Sequence, residues 1–468
     1  MGAKNYEFTQ TVYLDLQSIV GEEYISQDDK ILDDFSADAL KKGRTPDCVI
    51  WPGSVDEVAE IASLCNQHRV ALTPRGGGTG YSGGAVPSEG GVVLSMQRLN
   101  RILEIDRRNL VAVVEPNVIT ANLQDEVEKQ NLFYPPDPAS SSLSAIGGNV
   151  AECAGGPRAF KYGTTKAYVL GVQAVLPTGE IIETGGKTVK NVVGYDLTKL
   201  LVGSEGTLAI ITKVILRLIP KPAARKTLLV DFSTLDMAID VVEEIIDSGI
   251  VPSAIEILDH ECLAAMKDSL GLRKYDFDLM ARLILEVDGS EKAVEEEGKK
   301  LLKVCQNKEG VYIEIASSEE DRQGIWEERR GLSIALRNLA PVKINHDVVV
   351  PKGNVLKLFD VIQRLRDEFH LPIPSFGHVG DGNIHVNILF NPSDQSESDR
   401  ARAAEEALFR GVIDLEGSIS GEHGIGFTKA KYLRYEVSSD AIDLMKRLKE
   451  AFDPNAILNP SKIFPRPE

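Results

Sequence analysis

Two short segments of the chain combine histidine, acidic residues and glycine in a way that could do chemistry. The first covers residues 376–385, FGHVGDGNIH, and the second covers residues 421–424, GEHG; together they hold three of the chain's seven histidines. Imidazole and carboxylate are ligand groups for zinc and similar divalent metals, and glycine lets the backbone turn tightly beside a ligand. One such segment alone would equally fit a glycine-rich turn with surface histidines, but the two together predict a metal and acid–base site.

Length and composition indicate an ordinary globular protein with more than one domain. The 468 residues are too many for a single hydrophobic core, so two or three domains are expected. Hydrophobic residues make up 43% and charged residues 26%, as in typical globular chains. The net charge is −18, with no dense run of either sign. This balance disfavours nucleic-acid binding, which needs clustered Lys and Arg.

The chain carries no recognisable targeting or membrane segment. Its first ten residues have neither an apolar core nor an arginine-rich amphipathic pattern, and no stretch approaches the roughly 18 apolar residues of a membrane span. The five cysteines are scattered without a Cys-x-x-Cys pair, which favours reduced thiols and leaves the chain without an iron–sulfur cluster of its own. A cytoplasmic location is expected, with any membrane association made through a partner.

A glycine-rich loop in the first half is suited to binding phosphate oxygens. Apolar runs at residues 48–50 and 70–74 flank a helix that opens with Ser54 and Glu57 as a capping box, so a strand–helix–strand unit is expected. The loop that follows, residues 75–87, is half glycine and matches the G-x-G-x-x-G fingerprint. Because a strand rather than a helix comes next, we interpret it as a pyrophosphate-binding nest without the helix.

Further along, small residues and short strands indicate a second contact surface for a flat ligand. The segment 140–163 is crowded with Ser, Gly and Ala, and strands are expected at 169–176, 180–184 and 208–218. The second half instead alternates strands and helices between residues 222 and 370, which predicts βα units on an antiparallel sheet. One of its helices, at 318–337, carries Arg329 and Ser333.

These motifs occur in the order found in a known family. The loop at 75–87, the segments PPDP and IGGN before residue 150, and GSEGT at 203–207 resemble the FAD-binding domain of the vanillyl-alcohol-oxidase superfamily. The two histidine segments are similar to those of its D-2-hydroxyacid dehydrogenase branch. The resemblance implies an α+β fold, with a two-subdomain FAD-binding domain of the vanillyl-alcohol-oxidase type and a ferredoxin-like antiparallel-sheet cap.

The implied division has four parts. Residues 1–40 would form an N-terminal helical segment, 41–221 the FAD-binding domain, 222–430 the cap with the substrate and metal site, and 431–468 a C-terminal helical segment returning to the FAD domain. The resemblance assigns FAD contacts to Arg75, Gly76, Gly77, Gly78, Thr79, Gly80, Ser82, Pro138, Ser142, Gly147, Gly148, Asn149, Gly155, Glu205, Gly206 and Ile210.

The branch oxidises D-2-hydroxyacids to 2-oxoacids by hydride transfer to flavin N5. By resemblance, a divalent metal, expected to be zinc with iron and manganese as alternatives, would be held by His378, His385 and Glu422. The residues alone do not distinguish the roles of Glu422 and His423, and the resemblance assigns the general base to His423. Substrate would be bound by Arg329, Asn387 and Ser333, with Arg329 also in a catalytic role; a surface arginine is the alternative for Arg329.

Two departures from the family pattern affect the expected chemistry. Covalent members of the superfamily often carry His where this loop has Thr79, so FAD is expected to be non-covalent. The hydroxyglutarate enzymes hold the distal carboxylate with a lysine at a position that a loose alignment places at Asn345. A small monocarboxylate, D-lactate or glycolate, is therefore favoured, with D-2-hydroxyglutarate as an alternative substrate.

The path of electrons out of the flavin is not fixed by the sequence. By resemblance the acceptor would be an iron–sulfur subunit, an electron-transferring flavoprotein, a cytochrome or a quinone, and a homodimer is an alternative oligomeric state. Two other readings remain. One is a flavin-dependent transferase of the alkyl-glycerone-phosphate synthase type, which should carry consecutive histidines in the cap; the other is a non-catalytic flavoprotein subunit.

Overall fold

The structure is a computed structural model that describes residues 6–270, 279–308 and 310–465. The first five residues of the predicted N-terminal segment and the last three of the predicted C-terminal segment lie outside the described residues. The described α-helices are α1 (Gln10–Val20), α2 (Asp29–Asp34), α3 (Val55–His68), α4 (Thr120–Glu128), α5 (Ile146–Glu152), α6 (Ala159–Tyr162), α7 (Leu197–Leu201), α8 (Leu235–Asp247), α9 (His260–Leu270), α10 (Glu291–Asn307), α11 (Glu319–Arg337), α12 (Val355–Phe369), α13 (Gln395–Asp414), α14 (Leu433–Glu436) and α15 (Ser439–Phe452).

The strands follow the same chain order. They are β1 (Ile25–Ser26), β2 (Cys48–Ile50), β3 (Leu72–Arg75), β4 (Val92–Ser95), β5 (Ile102–Asp106), β6 (Val111–Val114), β7 (Leu132–Phe133), β8 (Val169–Val175), β9 (Ile181–Gly185), β10 (Ile210–Arg217), β11 (Ile219–Pro220), β12 (Ala224–Phe232), β13 (Ala254–Asp259), β14 (Ala281–Gly289), β15 (Tyr312–Ile315), β16 (Val342–Val349), β17 (Ser375–His378) and β18 (Asn383–Phe390). Short 3₁₀ helices cover Glu22–Tyr24, Met96–Arg98, Thr165–Ala167, Lys352–Asn354 and Ala430–Tyr432.

The chain divides into two compact units. The first unit comprises Met1–Gly155, Thr164–Lys221 and Glu422–Glu468, and the second comprises Gly156–Gly163 and Pro222–Gly421. Our four-part division, with boundaries after residues 40, 221 and 430, stays a prediction. Within the described residues, no α-helix combines the length and the apolar composition needed to cross a membrane.

The first unit contains a small mixed sheet and a larger antiparallel one. In the small sheet, of order β1-β2-β4-β3, strands β2 and β3 both pair parallel to β4. Helix α3 begins at its predicted cap, since the Ser54 hydroxyl accepts a hydrogen bond from the Glu57 amide at 3.2 Å. It buries residues at helical spacing against this sheet, including Val58, Ile61 and Cys65.

The five-stranded sheet of the first unit has the order β5-β6-β10-β8-β9 and is antiparallel throughout. The end of the chain returns to the smaller sheet of the same unit. Leu458 pairs with Leu72 at the edge of β3, and the Asn459 side chain donates hydrogen bonds to the carbonyls of Gly84 and Glu205, each at 2.8 Å. The C-terminal residues thereby tie the glycine-rich loop to the turn at 203–207.

The second unit is built on one seven-stranded antiparallel sheet of order β15-β12-β14-β13-β17-β18-β16. Helices α9 and α11 pack on one face, where Ala254, Leu258 and Phe376 meet Cys262 and Trp326. Side chains alternate along a strand, so the residues between these lie on the other face. Helices α8 and α10 contact β12 and β14, and α13 contacts β16 and β18. The face under α9 and α11 carries the predicted site residues of this unit.

Candidate active site

The glycine-rich loop of the first unit runs from the end of β3 to β4, and its glycines are required by close packing. A Cβ on Gly77 would overlap the carbonyl oxygen of Leu143, and a Cβ on Gly83, which has φ +84°, would overlap the ring of Phe427. Gly78 also has a positive φ, +63°. Larger residues would be excluded at these positions, so the loop presents bare backbone, as a nest for phosphate oxygens requires.

The polar residues predicted in this loop are positioned mainly by neighbouring backbone. The Arg75 guanidinium donates to the carbonyl of Ala85 at 3.3 Å, and its burial lowers its pKa. Ser82 is buried, and its carbonyl accepts a hydrogen bond from the Phe427 amide at 3.2 Å. Thr79 and Gly80 are partly exposed. The contacts of these residues with FAD stay predictions.

The segment from Pro138 to Asn149 lies against the same loop. A Cβ on Gly76 would lie 3.0 Å from the Cβ of Ala145, whereas a Cβ on Gly148 would meet nothing within 4 Å. The Asn149 side chain is buried and donates to the hydroxyl of Thr120 at 2.7 Å, so its amide nitrogen is engaged by the protein. Pro138 begins the turn that exposes Ser142, and Gly147 donates to the carbonyl of Pro116 at 2.7 Å.

The turn at 203–207 holds the residues that directly follow the second histidine segment. Glu205 is buried with φ +52°, and its carboxylate accepts hydrogen bonds from the amides of Ile425 and Gly426, at 2.8 and 2.6 Å. Burial raises the pKa of Glu205, and these two hydrogen bonds oppose that rise. Gly206 also has a positive φ and Ile210 is buried at the start of β10. The Glu205 carboxylate therefore positions residues 425–426, while its predicted contact with FAD stays untested.

Glu422 and His423 lie against the glycine-rich part of the first unit. The ring of His423 is 5.4 Å from the ring of Tyr81, measured between centroids and tilted by 33°. A Cβ on Gly155 would lie 2.8 Å from the Glu422 Oε2 atom. The predicted base is thus next to the predicted cofactor loop, and the Glu422 carboxylate occupies the space beside Gly155.

The two histidines of the first segment meet within the second unit. His378 ends β17 and His385 lies in the adjacent strand β18, where Phe376 is the cross-strand partner of His385. The imidazole centroids are 5.2 Å apart, and one ring nitrogen of each lies within 4.8 Å of the other. Both side chains are buried. The fold therefore brings this predicted ligand pair together.

Glu256 is a site residue that the sequence reasoning missed. It is the cross-strand partner of His378 and fully buried, one of its oxygens contacts His378 Nδ1, and the other accepts from Arg329 Nε at 2.7 Å and lies 2.6 Å from Arg329 Nη2. Burial alone would raise the pKa of Glu256, but the charges and hydrogen bonds of His378 and Arg329 outweigh it and lower the pKa to about 2. An acidic residue in the centre of the apolar strand AIEIL was the available signal.

Arg329 lies on helix α11, which begins after the N-cap residue Ser318, and its side chain is largely buried. Its side chain is 11% exposed and its guanidinium lies 4.4 Å from the centroid of the Phe376 ring. The alternative of a surface arginine is wrong for Arg329, although it holds for the neighbouring Arg330, which is exposed. Ser333 lies one helical turn further along the same face.

Strand β16 supplies polar groups beside these residues. Asn345 donates to the amide oxygen of its cross-strand partner Asn387 at 2.7 Å, and Asn387 in turn donates to the carbonyls of Pro374 and His385, each at 3.0 Å. Both ends of the Asn387 amide are therefore engaged by the protein, and its predicted substrate contact stays a prediction.

Lys343 is a second missed residue on this strand. It stands two residues before Asn345 and so on the same face, and its Nζ donates to the Ser333 hydroxyl at 2.8 Å. Burial, together with the nearby charge of Arg337, lowers the pKa of Lys343 to about 8. Among the described residues, no carboxylate lies within ion-pair distance of its ammonium group. The loose alignment placed Asn345, rather than Lys343, at the position of the family's carboxylate-binding lysine.

Asp347 is a third missed residue, and it fixes the chain just before Glu422. It is fully buried opposite His385 in the strand register. Its backbone carbonyl and its carboxylate each accept a hydrogen bond from the Gly421 amide at 2.9 Å. Since Gly421 is joined to Glu422 by a peptide bond, Asp347 anchors the start of the second histidine segment.

Comparison with family models gives two matches that together cover most of the chain. Residues 46–185 match the FAD binding domain, and residues 221–463 match the C-terminal domain of FAD linked oxidases. The chain is 42% identical to the glycolate oxidase subunit GlcD of Bacillus subtilis (strain 168), over 92% of each chain. It is 35% identical to a D-lactate dehydrogenase of Anaerostipes hadrus, over 93% of each.

A third relative and two solved structures extend the comparison. The chain is 33% identical to a D-2-hydroxyglutarate dehydrogenase of Stutzerimonas stutzeri (strain A1501), over 96% of this chain and 98% of that one. Substrate-bound p-cresol methylhydroxylase superimposes with a TM-score of 0.80 at 18% identity, over 97% of both chains. Alkyldihydroxyacetonephosphate synthase superimposes with a TM-score of 0.76 at 21% identity, over 98% of this chain and 87% of that one. At these identities the structural matches show the fold alone.

These matches confirm several predictions made from the sequence. The α+β fold class, with its FAD-binding domain of the vanillyl-alcohol-oxidase type and its antiparallel-sheet cap, is confirmed. FAD as the cofactor and an FAD-dependent oxidoreductase as the enzyme class are confirmed as well. The chain belongs to the family of FAD-linked oxidases, in the D-2-hydroxyacid dehydrogenase branch of the vanillyl-alcohol-oxidase superfamily.

Proposed function

We propose that the protein oxidises a small D-2-hydroxyacid, D-lactate or glycolate first of all, to the corresponding 2-oxoacid. One observation carries the proposal: the carboxylate of Glu256 holds a potential metal-binding imidazole, His378, beside the guanidinium of Arg329. A 2-hydroxyacid has its hydroxyl and carboxylate on adjacent carbons. It therefore requires a metal-binding group and a carboxylate-binding group side by side.

The residues present fit both non-protein groups. The glycines whose Cβ atoms would collide with neighbouring backbone or rings leave the accessible backbone that a dinucleotide needs, and the cofactor is proposed to be non-covalent because Thr79 stands where covalent relatives carry His. For the metal, the buried His378 and His385 supply two imidazoles, a donor type that suits zinc. We propose Glu422 as the third ligand, supported by the anchoring of Gly421 on Asp347.

Each side chain has a distinct role in the proposed reaction. When bound, FAD supplies the hydride acceptor and the metal supplies a Lewis acid for the substrate hydroxyl. Arg329 holds the substrate carboxylate: a guanidinium has five N–H donors, and Glu256 occupies two of them. His423 accepts the hydroxyl proton as the general base. Asn387 and Ser333 orient the substrate.

Lys343 supports a second candidate class of substrate, a 2-hydroxyacid with two carboxylates. Its half-buried ammonium group has no carboxylate within ion-pair distance among the described residues, and it lies beside Ser333 and on the face of Asn345. A second carboxylate on the substrate, as in D-2-hydroxyglutarate, would supply that missing charge. The D-2-hydroxyglutarate dehydrogenase named above is 33% identical to this chain, which agrees with this candidate. No comparable observation supports the transferase alternative.

The proposal also includes a cytoplasmic location and a separate electron acceptor. That acceptor would be an iron–sulfur subunit, an electron-transferring flavoprotein, a cytochrome or a quinone, and a homodimer is compatible with it. The proposed function is tested by measuring kcat/KM of the purified holoenzyme with an artificial electron acceptor for D-lactate, glycolate, D-2-hydroxyglutarate and L-lactate. A preference for D-lactate or glycolate is expected. Activity on D-2-hydroxyglutarate alone would select the second candidate, and activity on none of the four would reject both.

A further inference from the structure

Glu256 lies where two binding groups of the proposed site meet. It occupies the middle of β13, between apolar neighbours, and its relative exposure is 0%. Its two carboxylate oxygens hold different partners: Oε1 contacts His378 Nδ1, and Oε2 lies 2.7 Å from Nε and 2.6 Å from Nη2 of Arg329. One fully buried carboxylate therefore connects a proposed metal ligand to the proposed substrate arginine.

We propose that Glu256 is a positioning residue that sets the ring tautomer of His378 for metal binding and the orientation of Arg329 for the substrate carboxylate. This inference rests on the proposed function, because it assumes that His378 binds a metal and that Arg329 binds the substrate. In this proposal Glu256 itself contacts neither the metal nor the substrate.

The tautomer follows from the chemistry of the contact. An ionised carboxylate has no hydrogen to donate, so the His378 nitrogen that faces it, Nδ1, must carry the hydrogen. In a neutral ring the other nitrogen, Nε2, then carries the lone pair that can bind a metal. Metal-binding histidines are commonly oriented in this way by a carboxylate on the second nitrogen, and loss of such a partner weakens metal binding by about 10- to 100-fold.

The orientation of Arg329 is fixed by the same carboxylate and by one aromatic ring. A hydrogen bond from Nε and an ion-pair contact of Nη2, both to Glu256 Oε2, set the plane of the guanidinium, and the Phe376 ring centroid lies 4.4 Å from it. Phe376 and His378 lie in one strand, β17, and Glu256 is paired with His378 in the strand register. A displacement of the Glu256 carboxylate would therefore disturb both groups together.

The same sheet offers a matched control, a buried ion pair in which neither residue is a proposed ligand of the metal or the substrate. Asp231 is fully buried in β12, and its two oxygens accept from Nε and Nη2 of Arg282 at 2.7 and 3.0 Å. Arg282 also reaches Glu328 of α11, the residue that precedes Arg329, at 3.5 Å. Substituting Asp231 by Asn removes a charge from a comparable buried pair near the same helix, without touching a proposed ligand.

The test compares Glu256→Gln with Asp231→Asn in the holoenzyme. In Glu256→Gln the amide oxygen would accept from Arg329 and the amide NH₂ would donate to His378 Nδ1. That arrangement moves the ring hydrogen to Nε2, the nitrogen needed for the metal. Zinc affinity of metal-stripped protein is measured by competition with a chelator, and the tautomer of His378 by ¹⁵N NMR of histidine-labelled protein, with FAD content recorded for each sample.

We expect Glu256→Gln to bind zinc at least about 10-fold more weakly than the wild type, with the His378 hydrogen on Nε2 and FAD content unchanged. Asp231→Asn should bind zinc like the wild type, because a merely structural loss does not alter the tautomer. Equal zinc affinity in the wild type and Glu256→Gln, or an equal loss in Asp231→Asn, would overturn the inference alone. Absence of zinc binding by the wild type would overturn the metal role in the proposed function as well.

If Glu256→Gln fails to fold, Glu256→Asp provides the second variant. Its carboxylate is retained but is one methylene shorter, so the tautomer with the hydrogen on Nδ1 should persist while the contacts lengthen. We expect zinc affinity between that of the wild type and a tenfold loss, together with a raised KM for the hydroxyacid. Unchanged zinc affinity and unchanged KM would overturn the inference.

Discussion

Arg329 and Glu256 are joined inside the second unit by two contacts to a single carboxylate oxygen, at 2.7 Å from Nε and 2.6 Å from Nη2. This arrangement uses one edge of the guanidinium and leaves its remaining N–H groups for another anion. The next residue of the helix, Arg330, is exposed and therefore serves as a control.

Substitution of Arg329 should therefore weaken substrate binding far more than substitution of Arg330. Charge-assisted hydrogen bonds contribute about 1.5–3 kcal/mol, so Arg329→Met should lower kcat/KM for D-lactate by at least about tenfold. Arg329→Lys keeps the charge and should retain more activity. Arg330→Met should behave like the wild type in the same steady-state assay. Equal effects at the two positions would contradict the role of Arg329.

The proposed base can be separated from cofactor binding. His423→Ala should retain FAD, because the glycine-rich loop remains intact, and should reduce the flavin at least about 10²-fold more slowly, the usual effect of removing a general base. Rapid-mixing absorbance with excess substrate measures this rate. His68, exposed at the end of α3, supplies the control variant His68→Ala. Reduction of the His423→Ala flavin at the wild-type rate would exclude His423 as the base.

Asp38 should make the stability of the flavin-free protein depend on pH. Its buried carboxylate accepts from the amides of Leu40 and Gly83, at 2.9 and 3.0 Å, and burial raises its pKa from 3.8 to about 6 despite these hydrogen bonds. A folded-state pKa above the unfolded value means that the stabilising contribution is complete below about pH 4 and is lost as the pH rises through about 6.

Asp38→Asn removes this titration but keeps only one of the two acceptor oxygens. Its free energy of unfolding relative to the wild type should therefore rise between pH 4 and pH 7, by at most about 3 kcal/mol at about 1.4 kcal/mol per pKa unit. Urea unfolding of the flavin-free protein at several pH values measures it, with Asp33→Asn as the control at an exposed carboxylate of α2. A difference that does not change with pH would disprove the titration of Asp38.

Metal retention should depend on the two buried histidines and not on the glycine-rich loop. His378→Ala and His385→Ala should each lose the bound divalent metal while keeping FAD, because FAD is assigned to residues of the first unit. Elemental analysis and the flavin absorbance of the same samples measure both quantities. A full complement of metal in both variants would show that the ion, if present, binds elsewhere.

The flavin should be released when the protein is denatured. Thr79 has no nucleophilic ring nitrogen to form the covalent bond that covalent relatives make from this position. Precipitation with acid should leave all of the FAD absorbance in the supernatant. A flavin that stays with the precipitate would mean that another residue is bonded to it.

Local patterns in the sequence were enough to predict several helices and strands of both units. Ser54 caps α3, as its capping-box spacing to Glu57 predicts, because capping depends only on neighbouring backbone. The glycine-rich loop was also identified correctly as a connection between strands. These features need no knowledge of distant contacts.

Two of the three residues that the sequence did not reveal, Glu256 and Asp347, act across long separations in the chain. Glu256 meets His378 because β13 pairs with β17, and Asp347 meets Gly421 because the chain at Ser418 forms a bridge with Val349 of β16. Lys343 was missed because the alignment pointed to Asn345. A shift of two residues along a strand keeps a side chain on the same face, so Lys343 lies on the face where the lysine was expected. Strand pairing of this kind follows from the tertiary fold rather than from a local pattern.

Anaerobic reduction of the bound flavin by substrate tests the central claim most directly. D-lactate or glycolate added to the holoenzyme without any acceptor should bleach the flavin absorbance, and L-lactate should not. After verified removal of the metal the bleaching should slow by at least about 10²-fold and return on addition of zinc. A flavin that none of the D-2-hydroxyacids bleaches, or that is bleached equally fast without metal, would contradict the account.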